Sequence, residues 1–266
     1  MSSPPLLPDG PAPHEPPAHQ HSTHHHLNLL GVVQGLMTVV VLAVFVITFV
    51  AQPFRIPSES MEPTLLIGDF VLVNKVMTAP GGAWNWLLPY RTVRRGDVIV
   101  FRKRVQDEDE YLVKRAIALP GDHVRLDRGQ VVLNGQPQKE SYAVYLASGP
   151  DAFRDDFPAS LYTDVGVDAR WWVQMHQLVR NGALIVPEGN YFALGDNRNR
   201  SQDSRYWGFV DHEEIVGEPV LVYFSVRSPS PDDGLLPQLP DDRMSRQASA
   251  SWLDFARWDR TLHVVR

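Results

Sequence analysis

Cysteine is missing altogether from the 266 residues. Disulfides, thiolate metal sites and a cysteine nucleophile are therefore excluded, while the redox compartment stays open. Extended basic tracts are missing too. The net charge is −6 and no Lys/Arg run is longer than Arg102–Arg104, so nothing points to nucleic acid. No glycine-rich phosphate loop follows a strand-like segment, which argues against nucleotide binding. Lys and Arg are absent from residues 1–28, which are rich in Pro and His and poor in large apolar side chains. Such a segment buries too little surface to fold alone and reads as a disordered tail. His14, His19, His21, His24, His25 and His26 lie in it, but nothing there imposes a rigid metal geometry. No metal or cofactor is expected.

What the chain does have is one long apolar run. Residues 29–50 carry Gln34 as their only strongly polar side chain, and about 20 such residues span a bilayer as a helix. The basic start and small-residue cleavage site of a removable signal peptide are both lacking. Residues 29–51 therefore read as a retained, single-span anchor. Its orientation stays open. No Lys or Arg precedes the span and Arg55 follows it, which does not favour an outside C-terminus, yet large C-terminal domains translocate largely regardless of charge. The remainder, within a chain that is 44% hydrophobic and 21% charged, suits one domain of ordinary size.

Beyond the anchor, strand signals dominate. Residues 70–74, 97–101, 111–119, 124–126, 131–133, 184–186, 191–194 and 220–224 are short, β-branched or aromatic, and bounded by Gly or Pro turns. The segments 121–123 (GDH) and 134–136 (NGQ) read as turns of an antiparallel sheet. The expected body, 52–227, is mainly β, with 137–183 a smaller cap or excursion from the sheet. Residues 228–266 read as a Pro/Asp-rich linker and an amphipathic end. There Trp252, Phe255, Trp258 and Leu262 fall at helical spacing. That end suits either a membrane surface, where Trp is favoured, or packing against the body.

Three stretches carry candidate chemistry. Residues 56–69, IPSESMEPTLLIGD, form a proline-framed loop ahead of a strand. Ser58 and Ser60 in it are either turn residues or a nucleophile held on a rigid loop. Residues 111–122, YLVKRAIALPGD, place Lys114 on one strand face with Leu112, Ala116 and Ala118, and Arg115 on the other with Val113 and Ile117. A lysine in that company either snorkels to water or is desolvated. Desolvation disfavours the ammonium, and a neutral amine can serve as a general base for a serine. Residues 193–210, ALGDNRNRSQDSRYWGFV, are dense in polar groups between apolar strands, as a buried hydrogen-bonded loop would be.

In combination and order, these stretches resemble the type I signal peptidase (leader peptidase) family, serine proteases with a Ser–Lys dyad. The resemblance covers roughly residues 30–225. The pattern PSxSMxPTLxxGD is met from Pro57 to Asp69, KRxxGxPGD from Lys114 to Asp122, and GDNRxxSxDSRYWG from Gly195 to Gly208. It implies Ser60 as nucleophile, Lys114 as general base, and Ser58 with the Ser60 backbone N–H as oxyanion hole. Ser201 would orient the lysine, and Arg115, Asp196, Asp203 and Arg205 would form ion pairs bracing the loops. Phe54, Ile56, Met61, Leu65, Val71, Leu112 and Val113 would line shallow pockets for the small residues at −1 and −3 of signal peptides. Ala118 replaces a family Gly, where it would tighten the site. Glu59 stands where many members have Gly, and Asn199–Arg200 replaces a common Asp-Asn; neither departure touches an implied catalytic role.

The resemblance also implies a signal-peptidase/LexA-like antiparallel β fold and no cofactor. The enzyme would be a monomer in the plasma membrane, its catalytic body outside the cytoplasm, with preprotein signal peptides and the bilayer as partners. Ser60 lies ten residues past Val50, so at most about 35 Å of chain separates it from the membrane exit. Other readings are a self-cleaving or tether-cleaving Ser–Lys protease, an inactive membrane-anchored binding protein, or a Ser–His–Asp enzyme using His123, His176 or His212. A membrane span where LexA-like repressors carry a DNA-binding domain, the presence of both dyad residues and the histidines' contexts count against them in turn.

Overall fold

A computed structural model of the chain describes residues 29–45, 51–75, 91–105, 108–145, 149–158, 164–227 and 255–265. The expected tail at 1–28, the linker at 228–243, and Trp252 lie outside the described residues. The chain divides into two units, residues 1–42 and 43–266.

Helix α1, Leu29–Phe45, is apolar all round, and its described side chains, Leu36 and Leu42 among them, are exposed. Among the described residues no helix is long and apolar enough to cross a membrane. The expected anchor continues through 46–50, outside the described residues, and Ala51, placed at its end, is instead the first residue of a strand.

The second unit is two antiparallel sheets. The larger is built from β1 (Ala51–Arg55), β2 (Asp69–Asn74), β3 (Val98–Val105), β4 (Glu108–Ala118), β10 (Asn190–Leu194), β11 (Val210–Asp211), β12 (Ile215–Ser225) and β13 (His263–Val264). Its order is β1-β2-β12-β3-β4-β10-β11, with β13 added to β12. The smaller sheet, β7-β6-β5-β9-β8, comprises β5 (His123–Asp127), β6 (Gln130–Leu133), β7 (Gln136–Pro137), β8 (Val179–Arg180) and β9 (Ala183–Ile185). Every long strand expected from the sequence is present. Strand β1 is not among them, because Pro53 reads as a loop residue. It is tolerated because β1 is an edge strand, pairing only with β2.

The excursion is less separate than expected. Its first residues form part of β7, and its last strands, β8 and β9, extend the smaller sheet. Between them lie α2 (Ala152–Asp155) and α3 (Ala169–Leu178), each started by an aspartate. The carboxylates of Asp151 and Asp168 accept from the first free N–H groups of the two helices. Phe157, Trp171 and Met175 then pack onto Val124, Leu126, Leu184 and Phe192 in one buried cluster.

The C-terminal end departs from its helical spacing. Residues 255–265 form a short turn at Trp258–Arg260 and then β13, which pairs His263 with Val222 and Val264 with Leu221. Pairing to β12 wins over local periodicity, and Phe255 and Trp258 pack on Phe224 of the body, with ring centroids 6.0 and 6.1 Å away.

Phe192, fully buried on β10, stacks on Phe157 at 5.4 Å and on Phe209 at 6.5 Å, tying both sheets and the excursion together. Phe192→Ala is expected to cost about 3–5 kcal/mol, read as a lower urea midpoint with an unchanged slope.

Candidate active site

The loop from β1 to β2 is closed at its base as a continuation of the strand ladder. Ile56 N–H donates to Asp69 O at 2.8 Å and Gly68 N–H to Ile56 O at 2.9 Å. Met61 and Leu65 anchor it in the core with Ile56, Val71, Val98 and Val222. Within it, Ser58 is extended, and a single 3-10 turn at Glu59–Met61 swings Ser60 inward. Ser60 ends up buried while Ser58 remains exposed.

Lys114 approaches from β4, the strand between β3 and β10, opposite Ile99. The residue is only 3% exposed, and its Nζ donates to Ser60 Oγ at 2.6 Å. Burial pushes the Lys114 ammonium down to about 8, a shift opposed by the carboxylates of Asp203 and Asp196 and assisted by the Arg205 charge. Snorkelling is thereby excluded: the amine stays inside, on the serine. Ser58 Oγ is 3.3 Å from Ser60 Oγ, so the two expected oxyanion-hole and nucleophile hydroxyls are neighbours.

The loop after β10 supplies the frame. Asp196 takes both arms of Arg115, at 2.8 and 2.7 Å, and accepts from Thr64 Oγ1 at 2.5 Å. Arg115 also donates to Gly96 O and lies 4.1 Å from the Tyr142 ring centroid. Asp203 and Arg205 form a second buried bidentate pair, both bonds 2.8 Å. Burial alone would raise the Asp203 carboxyl, but the Arg205 guanidinium beside it holds it below the usual range. Such pairs stabilise only when both partners are present, and breaking one costs about 3–5 kcal/mol.

Several framing residues were not singled out from the sequence. Arg198 forms a third buried pair, to Glu140, at 2.8 and 2.7 Å. Asn197 N–H donates to Ser60 O at 3.1 Å and its side chain to Glu59 O at 3.3 Å, docking the nucleophile turn directly on this loop. Thr64 links the same turn to Asp196. The motif contained Thr64, Asn197 and Arg198; only Glu140, 58 residues from its partner, carried no signal.

Three stretches far apart in the chain thus converge on one serine and one buried lysine. Residues 29–224 match the family model described as signal peptidase, peptidase S26. The chain belongs to the signal peptidase S26 family. It is 33% identical over 227 residues to a signal peptidase I from Leptolyngbya laminosa, covering 82% of this chain and 92% of that one. A signal peptidase I from Aquifex aeolicus is 32% identical, covering 73% and 84% respectively. A solved signal peptidase I from Enterococcus faecalis is 32% identical, over 48% of this chain and 97% of its own, with a TM-score of 0.34.

Within this peptidase fold, the remaining candidates divide. Ser201 is buried, but its Oγ makes no hydrogen bond, so no contact orients the lysine through it here. Phe54, Ile56, Met61, Leu65, Val71 and Val113 gather in one apolar cluster, whereas Leu112 belongs to the neighbouring cluster with Ile99 and Phe101. Met61, Leu65 and Val71 are fully buried, so Phe54 and Val113 are the members that present surface. Ala118 falls in the core opposite Phe192, not at the lysine. The two other departures from the family pattern meet each other: Arg200 Nη1 is 3.0 Å from a Glu59 carboxylate oxygen.

Gly195 is the tightest point of the site. A Cβ there would meet Ser201 Oγ at 2.3 Å and Ser60 O at 2.4 Å. Gly195→Ala should displace the nucleophile turn and cut kcat by about 10²-fold, checked by steady-state turnover of protein whose melting confirms a folded state.

Proposed function

We propose that this chain is a membrane-bound serine endopeptidase that removes N-terminal signal peptides from exported preproteins after small residues at −1 and −3. The observation that carries the proposal is the 2.6 Å contact between Ser60 Oγ and an amine whose burial favours its neutral form. The relatives named signal peptidase I support the substrate class.

In this reading Lys114, once neutral, takes the Ser60 proton as Oγ attacks the scissile carbonyl. The oxyanion that forms is held by the Ser60 N–H and the Ser58 hydroxyl. The Lys114 ammonium returns its proton to the leaving amine, releasing the mature protein and leaving the signal peptide esterified to Ser60. Lys114 then deprotonates a water, which hydrolyses the ester and frees Ser60. Asp196, Arg115, Asp203 and Arg205 act as positioning residues. Phe54 and Val113, backed by Ile56, Met61, Leu65 and Val71, wall the −1 and −3 pockets. The Ser60 hydroxyl meets Lys114 and not a histidine, and His176 Nδ1 is engaged with Trp172 O and His212 Nδ1 with Tyr191 Oη.

The apolar run at 29–50 serves as the bilayer anchor of a monomer whose body lies on the extracytoplasmic side. The all-round apolar surface of α1 supports the anchor, since an exposed helix of that kind needs an apolar solvent.

Two measurements with an Ala-x-Ala preprotein and detergent-solubilised protein test the mechanism. Turnover should rise as pH increases through about 8, because the neutral amine, not the ammonium, is the active form. Lys114→Met and Lys114→Arg should both be inactive, guanidinium remaining protonated, and joint replacement of His123, His176 and His212 should leave the profile in place. Turnover by the Lys114→Met protein would remove the mechanism. Separately, Ser58→Ala should lower kcat by about 10²–10³ with KM little changed, since its hydroxyl acts on charge that develops only in the transition state. A change confined to KM would reject the oxyanion role.

A further inference from the structure

The family match ends at residue 224, yet residues 255–265 reach back to the nucleophile loop. Asp69, its last residue and the first of β2, is a carboxylate with no exposed surface. It accepts from Leu66 N–H at 2.9 Å and Ser225 Oγ at 2.6 Å within the matched body or its edge. Among the described residues its cationic partners are both C-terminal. Arg260 donates to it at 2.6 and 3.3 Å, and Arg257 stands 3.9 Å away. The same two arginines hold the loop's backbone: Arg260 donates to Thr64 O at 3.0 Å, and Arg257 to Ile67 O and, at 2.8 Å, to Val226 O.

The approach is close enough to require glycine. Gly68 has φ +87°, and a Cβ on it would meet Val226 O at 2.4 Å and the Arg257 guanidinium at 3.3 Å. The segment is itself fastened by Arg257 N–H to Ser225 O, by Ala256 bridging Val226, and by β13 on β12.

We propose that the C-terminal segment is a positioning element for catalysis, in which Arg260 and Arg257 neutralise Asp69 and hold residues 64–69 so that Ser60 meets Lys114. The path is continuous. Arg260 fixes the carbonyl of Thr64, whose hydroxyl donates to Asp196, and Asp196 grips Arg115, the residue next to Lys114 on β4. Loss of Arg260 leaves a buried carboxylate short of its closest cation and frees Thr64, and small misplacements of a catalytic group are costly to rate. The proposal rests on reading Ser60 as the nucleophile.

The test uses the full chain in detergent. Arg260→Gln should lower kcat about tenfold to a hundredfold with KM within twofold, and Arg260→Lys, which keeps the charge but not the fork, should recover part of it. Hydrogen–deuterium exchange is compared with and without Arg260→Gln in a Ser60→Ala background, so that this arm does not depend on catalysis. The amides of Leu66, Gly68 and Asp69 should exchange faster while those of β5 and β6 do not change. Unchanged loop exchange, or faster exchange spread over both sheets, would overturn the proposal. An unchanged kcat would do the same. If Arg260→Gln does not fold, Arg260→Lys and Arg257→Gln carry the same two readouts. Full activity of the Ser60→Ala protein would instead overturn the nucleophile assignment, leaving the exchange result to stand alone.

Discussion

Holding an amine neutral beside a serine hydroxyl requires that Lys114 be taken out of water without a carboxylate of its own. Burial supplies the first condition by disfavouring the ammonium. The second is harder, because Asp203 and Asp196 both lie near enough to favour its charged form. Each is committed elsewhere: Asp196 to Arg115 and Asp203 to Arg205, through bidentate bonds that occupy both oxygens. The ion pairs are thus conditions of the lysine's chemistry as well as braces for the loops. An arginine removed from either pair would leave a bare carboxylate to recharge Lys114.

Geometry imposes its own demand, since Ser60 and Lys114 come from loops and strands 54 residues apart. The turn that carries Ser60 docks on the loop after β10 through Asn197, and Gly195 permits the approach. Beneath it, Leu65 and Met61 fix the turn's depth in the core. Exposed pairs such as Glu59–Arg200 add little energy individually, but this one joins the same two loops at their rim.

The strands were legible because their apolar runs are short and bounded by turns, and Ser60 and Lys114, which the fold brings into contact, because the motifs that carry them are local. What escaped was non-local or locally contradicted. Pro53 obscures β1, whose place at a sheet edge is a property of the whole topology. Glu140 offers no sequence sign that it will meet Arg198. The C-terminal Phe255, Trp258 and Leu262 carry a helical period, yet backbone pairing to β12 decides their conformation. Ser201 shows the converse: the motif marks it clearly, while its buried hydroxyl makes no hydrogen bond.

The excursion between β6 and β9 has a mechanical reason once the polar loop after β10 is considered. That loop bears three buried arginine–carboxylate pairs, which water on its far side would screen. Residues 140–144 run along it: Val144 N–H donates to Asp196 O at 2.8 Å, Arg198 N–H returns a bond to Val144 O at 3.0 Å, and Glu140 takes Arg198. Farther along, the excursion seizes the loop's other end. Arg205 donates to Arg154 O, Trp171 Nε1 donates to Arg205 O at 3.1 Å, and Asp168 N–H to Tyr206 O at 2.9 Å. Both sets of contacts are made by an insertion whose own core, around Phe157, Trp171 and Met175, is shared with the body. The excursion therefore works as a back wall to this loop, holding Asp196 by its backbone carbonyl and Arg205, the partner of Asp203, by its guanidinium and its carbonyl.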